Sequence, residues 1–246
     1  MFGLSAERNE VERPARIDSG GTPRRICGTI FVRYCLKSPV EDNVQSKKET
    51  EEQRMNMKDY ETIISGRMKA ARFKHSKNVA REAVRLAKKY GADVEKAELA
   101  GILHDATKET PEQEQMELIE RAGITLSDLE RCSHKLWHAI SGSAFVQVEL
   151  GITDPDIINA IRYHTTGRAG MSLLEKVLFI ADFTSAERDY DGVDLMRKAA
   201  DKSLEEAMLE GISFTIADLA ERRQTIAPDT FAAYNEVAAM KFAKKK

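Results

Sequence analysis

Residues 93–105 read DVEKAELAGILHD, and their spacing decides the fold. Asp93 is a helix N-cap residue, able to accept from the free amides of the first turn. Ala97, Ala100 and Leu103 follow along one helical face, and the run ends on His104-Asp105. His104 falls on the same face as Ala97 and Ala100, so an imidazole projects where core residues project. A polar group facing the interior is costly unless something pairs with it.

Outward from this helix the pattern repeats. Upstream, a helix over Arg72 to Tyr90 has apolar positions at Val79, Ala83, Leu86 and Ala87. Lys88-Lys89 sit in its last turn and Gly91 stops it; His75 shares a face with Val79 and Leu86. Downstream, Pro111 opens a charged helix that ends near Gly123, with Met116, Ile119 and Ala122 on one face. Another spans Leu136 to Leu150 and stops at Gly151. Asp154-Pro155 is a cap followed by proline at the first helical position, and that helix runs through Ile157 and Ile161 to His164. Ser172 and Glu175 form a capping box opening the helix of Leu174, Leu178 and Asp182. Ser203 and Glu206 form a second box, with Leu204, Met208, Ile212, Ile216 and Leu219 facing inward. Pro228-Asp229 starts the last helix, and AKKK reads as a solvated tail. No alternating strand pattern and no repeat interrupts the series. The expected fold is an all-α helical bundle over residues 55–246.

Residues 1–54 differ. They hold Pro14, Pro23 and Pro39, a turn signal at Ser19-Gly20-Gly21, and a single short apolar patch around Ile30-Phe31-Val32. This composition predicts a largely disordered N-terminal extension. Met55 and Met57 offer an alternative start, which would make the upstream residues an over-extended reading frame; a regulatory tail is the other reading.

The bulk numbers exclude several classes. The 246 residues carry 38 Lys and Arg against 40 Asp and Glu, a net charge of −2, which argues against a nucleic-acid binder. No apolar run approaches the roughly 18 residues of a membrane span. The opening MFGLSAERNE lacks the basic-then-apolar pattern of a signal peptide. Cys27, Cys35 and Cys132 show no metal-type spacing. A cytoplasmic location is expected.

Taken together, His75, His104-Asp105, His138, His164 and Asp182 stand in or beside helices on core-facing positions. A histidine on an apolar face is often only a hydrogen-bonded core residue, and His134, outside the pattern, reads that way or as surface. For the ordered set, one or two shared cations would satisfy every member. Imidazole with carboxylate suits Fe, Mn, Co, Ni or Zn. His104 and Asp105 lie about 100° apart on a helix, close enough to reach one centre near its end.

The order H…HD…D resembles the HD superfamily of metal-dependent phosphohydrolases. The blocks RFKHSKNVAREAVRLAKKYGAD, AELAGILHDATK, WHAISGSA, AIRYHTTGRAGMSLLEKVLFIADFTSAER and IAPDTFAAYN are similar to its YqeK branch, in unbroken order over residues 58–240. The leader is the departure from the family pattern. The resemblance implies an HD-domain bundle that hydrolyses diadenosine tetraphosphate symmetrically to two ADP. It implies a metal held by His75, His104, Asp105 and Asp182, expected to be iron, as one or two ions, with Mn, Co or Ni as substitutes. His138 and His164 would share the cavity, contacting substrate or, alternatively, holding a second ion. Asp105 and Lys108 would be catalytic. Lys108, Arg188 and Thr165, with Thr166 nearby, would meet the phosphates, and His75 and Asp182 also border the substrate. The 225–230 stretch, TIAPDT, would close over the nucleotide. The implied partners are a small dinucleotide and its ADP product, with neither nucleic acid nor membrane; a homodimer stays open. Two other readings remain at this stage: an HD phosphohydrolase for other nucleotides or alarmones, and an inactive nucleotide-binding module.

Overall fold

The structure, a computed structural model, describes residues 55–243, and among these every regular element is helical. In chain order they are α1 (Met57–Ser65), α2 (Ala70–Tyr90), α3 (Val94–Leu103), α4 (Glu112–Arg121), α5 (Asp128–Cys132) and α6 (His134–Val148). Then follow α7 (Pro155–Tyr163), α8 (Leu173–Thr184), α9 (Val193–Lys202), α10 (Leu204–Glu221) and α11 (Pro228–Ala243). The all-α expectation holds. The extension expected over residues 1–54, and the tail beyond 243, lie outside the described residues.

Local chemistry sets the boundaries. Gly91 closes α2 in the left-handed region, φ 81°, where a side chain would be strained. Asp93 caps α3 by accepting from Lys96 N at 3.0 Å. The two boxes expected at Ser172 and Ser203 form only by half. Ser172 Oγ accepts from Glu175 N, but the buried Glu175 carboxylate turns to Arg168, taking Nε at 2.8 Å and Nη2 at 2.6 Å. Ser203 Oγ accepts from Glu206 N while Glu206 engages Lys202. A guanidinium or ammonium is a stronger donor than the cap amide, and it wins. Three features differ from the expected outline. The short α5 is opened by a complete Ser127/Glu130 box, α9 follows Gly192, and α6 begins at His134 rather than Leu136.

The core lies where α2, α3, α7 and α8 meet. Val79, Ala83, Leu86, Ala97, Ala100, Leu103, Ile161, Val177, Leu178 and Ile180 are sealed from solvent. Each large aliphatic among them stabilises the fold by about 1.5–3 kcal/mol through burial. Small residues let α2 and α3 approach closely. At Gly101 an added Cβ would stand 2.5 Å from Ala80 Cα, so only glycine permits this crossing. A satellite cluster of Ile119, Leu126, Trp137 and Ile140 joins α4 to α6. No described helix is long and apolar enough to cross a membrane.

Candidate metal centre

The close crossing of α2 and α3 brings His75, in mid-α2, to His104, the residue that caps α3. Asp105 follows in the turns after α3, His138 rises from the first turns of α6, His164 caps α7, and Asp182 sits near the end of α8. All four histidines and Asp105 are buried. Helix ends and one helix face thus converge on one point.

The donor atoms face one another. His75 Nε2 lies 3.3 Å from His104 Nε2 and 3.2 Å from Asp182 Oδ1. Asp105 Oδ2 is 3.5 Å from His104 Nε2 and 3.7 Å from His75 Nε2. Ligands about 2.1 Å from one ion stand about 3.0 Å apart on an octahedron and about 3.4 Å apart on a tetrahedron. The two edges from His75 Nε2 to His104 and Asp182 fall in that range, while those to Asp105, and the 4.0 Å from His104 Nε2 to Asp182 Oδ1, are wider. The ring tautomers agree. His104 Nδ1 donates to Gly101 O at 2.8 Å, and His75 Nδ1 donates to the Glu187 carboxylate, which can only accept. In the form protonated on Nδ1 alone, each ring presents an Nε2 lone pair to the other. Two lone pairs at 3.3 Å with carboxylates beside them call for a shared cation, and the residues fit a divalent metal.

On the opposite side of the same carboxylate, Asp105 Oδ1 is 3.5 Å from His138 Nε2 and 3.7 Å from His164 Nε2. Both rings tie their Nδ1–H to backbone carbonyls, Lys135 O and Ile161 O, each at 2.8 Å. Again both Nε2 atoms are acceptors aimed at an acceptor. Asp105 thus divides two cradles, one per carboxylate oxygen.

Charge around the centre is balanced tightly. Burial opposes the ionised form of Asp105, but His104 and His164 outweigh it and hold the carboxyl well below the usual range. Asp182 is likewise held low, against burial, by His75, His104 and Arg188. Burial also opposes charge on His104, yet Asp105 and Asp182 raise its pKa. For His138, burial, His164 and Lys108 push it well below its ordinary value. Burial lowers the Lys108 ammonium, whose Nζ stands 3.0 Å from His138 Nε2. Arg188 pairs with the Asp182 carboxylate and donates from Nε to its backbone oxygen at 2.7 Å.

Of the residues singled out from the sequence, His75, His104, Asp105, His138, His164, Asp182, Lys108 and Arg188 gather here. Thr165 and Thr166 adjoin through His164, but no hydrogen bond joins them to the cluster, and both hydroxyls are buried without a partner. His134 stays apart, half exposed, stacked on Trp137 at 4.2 Å and bonded to Glu112. Sequence reasoning missed three participants. Arg72 Nη1 donates to Asp105 Oδ2 at 2.9 Å. Glu187 orients His75, and Asn78 Nδ2 holds Glu187 in turn at 2.6 Å. Arg72 and Glu187 both stood in blocks already quoted, and Asn78 lies one turn past His75; a carboxylate-to-histidine link across 112 residues leaves no local pattern.

Comparison with known proteins agrees with this geometry. The HD domain family model matches residues 72–187. The chain is 40% identical over 181 residues to a symmetrical bis(5'-nucleosyl)-tetraphosphatase of Bacillus subtilis (strain 168), covering 74% of this chain and 97% of that protein. A Staphylococcus aureus protein of the same name is 32% identical, over 70% of this chain and 89% of its own. Among solved structures, a Clostridium acetobutylicum protein described as a predicted HD superfamily hydrolase involved in NAD metabolism superposes with a TM-score of 0.73 at 35% identity, covering 76% of this chain and 98% of that one. With its two histidine–aspartate cradles in place, the chain belongs to the HD-domain family of symmetrical bis(5'-nucleosyl)-tetraphosphatases.

Proposed function

We propose that the protein hydrolyses diadenosine tetraphosphate, and related dinucleoside polyphosphates, symmetrically to two ADP. The carrying observation is the 40% identity across nearly the whole length of the Bacillus subtilis enzyme. The donor geometry supports it. His75, His104, Asp105 and Asp182 would hold the primary metal, and His138 and His164, together with Asp105, a second. The direction of the two Nε2 atoms toward Asp105 Oδ1 favours ligation over direct substrate contact. Iron is the proposed ion, with Mn, Co or Ni able to replace it.

When bound, the metal supplies Lewis acidity, which generates a nucleophile from water near neutral pH and polarises the phosphoryl group under attack. Glu187 would hold the His75 ring so that Nε2 stays aimed inward. Asp105, the shared carboxylate, would set the spacing of the two cradles. Lys108 and Arg188 would balance charge on the ADP that leaves with the central bridging oxygen, as the water oxygen joins the other inner phosphorus. Thr165 would add a hydroxyl contact, and the 225–230 stretch would close over the nucleotide. Residues 1–54 would be an extension to the catalytic domain of 55–246. A cytoplasmic location and a small-molecule substrate complete the proposal.

The test is incubation of iron- or manganese-loaded protein with diadenosine tetraphosphate under anaerobic conditions, with products resolved by ion exchange. ADP alone is expected. ATP with AMP would overturn symmetrical cleavage, and unchanged substrate would overturn the activity.

A further inference from the structure

Just past Asp182, α8 gives way to a turn that aims two sides of the metal centre. From this turn Glu187 holds the His75 ring, and Arg188 pairs with Asp182. Both lie in the connection between α8 and α9, outside any regular element. Their placement depends on what secures that connection.

The last four carbonyls of a helix have no donor within it. At the end of α8, Ala181 O accepts from Ser185 N at 2.9 Å and Asp182 O from Arg188 Nε at 2.7 Å. Phe183 O accepts from the Tyr190 hydroxyl at 3.1 Å. The fourth, Thr184 O, accepts from Arg197 Nε at 3.3 Å. The same guanidinium reaches on into the turn, where Nη2 donates to Ser185 O at 3.2 Å and to Arg188 O at 3.0 Å. It therefore grips the backbone on both sides of Glu187. Ser185 completes the hold, since its Oγ donates to Glu187 Oε1 at 2.8 Å. α8 has no basic residue in its own last turn, so Arg188 and Arg197 bring the positive charge that a helix C-terminus favours.

Arg197 is itself firmly based. Its neighbours Met196 and Ala200 on α9 are buried. Tyr90 and Arg85, both on the helix of His75, fasten α9 through Ala200 O at 2.6 Å and Asp201 Oδ1 at 2.7 Å. The remaining partner of Arg197, Asp194 Oδ1 at 3.2 Å, belongs to a largely exposed side chain, and such pairs contribute little. The three carbonyls are its principal partners.

We infer that Arg197 is a positioning residue of the metal centre. By tying three backbone carbonyls across the end of α8, it fixes the turn from which Glu187 aims His75 and Arg188 aims Asp182. It acts through those residues and not on the ion. This role presupposes the metal centre described above, but not the identity of the nucleotide.

The experiment uses the full chain and two readouts. Manganese affinity is measured by competition with a chelator, and amide hydrogen exchange over residues 185–188 is followed in metal-free protein. Arg197→Ala should weaken manganese binding about tenfold and speed exchange in the turn, while α2 keeps wild-type protection. Guanidinium ion at low millimolar concentration should restore much of the lost affinity. Arg197→Lys, a milder change that keeps stem and charge but not the planar fork, should weaken binding severalfold. Asp194→Asn should match wild type in both readouts. Wild-type manganese affinity in both Arg197 variants would overturn the role. So would weakened binding with exchange in the turn unchanged, or an equal loss in Asp194→Asn. Failure of the wild-type protein to bind manganese would strike the metal centre and this role together. Weakened binding in the Arg197 variants, without any wild-type hydrolysis, would support the role and strike the hydrolase reading alone.

Discussion

The metal centre and a hollow of about 410 Å³ between the start of α6, Thr165, Thr166 and the α10–α11 connection are built by opposite rules. At the centre every imidazole has its Nδ1 secured, His104 to Gly101 O, His138 to Lys135 O, His164 to Ile161 O and His75 to Glu187. Each Nε2 is thereby aimed before any ion arrives. At the hollow, Thr165 and Thr166, one and two residues past His164, keep buried hydroxyls without partners, and exposed polar pairs join the α10–α11 connection to the start of α6. The first region is preorganised for a ligand of fixed geometry, and the second leaves polar groups unpaired. Substitutions should therefore separate the two in metal content and stability.

The largest effect is expected at the carboxylate both cradles share. Asp105→Ala should lower kcat/KM at least about 10³-fold, about 4 kcal/mol of barrier, with bound metal lost in elemental analysis. Retained activity would refute its role as ligand. Glu187→Gln keeps the shape but weakens the acceptor that orients His75. It should reduce metal affinity about 10–100-fold in a competition titration. Gly101→Ala attacks the crossing beneath the centre. With Cβ 2.5 Å from Ala80 Cα, α2 and α3 must part. Overpacking of this kind costs about 1–3 kcal/mol, read as a lower melting temperature, and metal binding should fall with it as His75 and His104 separate. Lys108→Ala should keep the metal and raise KM about tenfold, the size of one lost charge-assisted contact.

The smallest effect concerns the Glu130–Arg162 pair that ties α5 to α7. Burial opposes the ionised form of Glu130, but Arg162 and Ser127 prevail and hold its pKa below the ordinary 4.5. A carboxylate lowered on folding stabilises above its unfolded pKa, and that contribution fades as pH falls through the folded value. Stability should thus drop below about pH 4.5 by about 1 kcal/mol or less from this group. Melting curves between pH 7 and pH 3 should show a shallower decline for Glu130→Gln.

Much of this was legible from the sequence, for a physical reason. Helical periodicity and end signals such as Gly91, Asp93 and Asp154-Pro155 are local, so α2, α3 and α7 could be outlined directly. The six donors were legible because they interrupt apolar faces. The partners that aim the donors were not. Arg72 and Glu187 are exposed enough to look like ordinary charged surface, and only the folded chain brings Glu187 to His75. The half-formed boxes at Ser172 and Ser203 show the same limit, since the competing Arg168 and Lys202 are chosen by side-chain packing. The hollow was least legible. Thr165 was singled out, but Leu219 reads as an inward helix position and His134 as surface until α6 and α10 are set side by side.

The central claim is that one buried cluster of histidines and aspartates holds the metal on which turnover depends. It is tested most directly by titrating metal-stripped protein with manganese while turnover of diadenosine tetraphosphate is followed in the same samples. Turnover should rise in parallel with bound ion, level off at no more than two ions per chain, and yield ADP alone. Full turnover by the stripped protein in excess chelator would contradict the account.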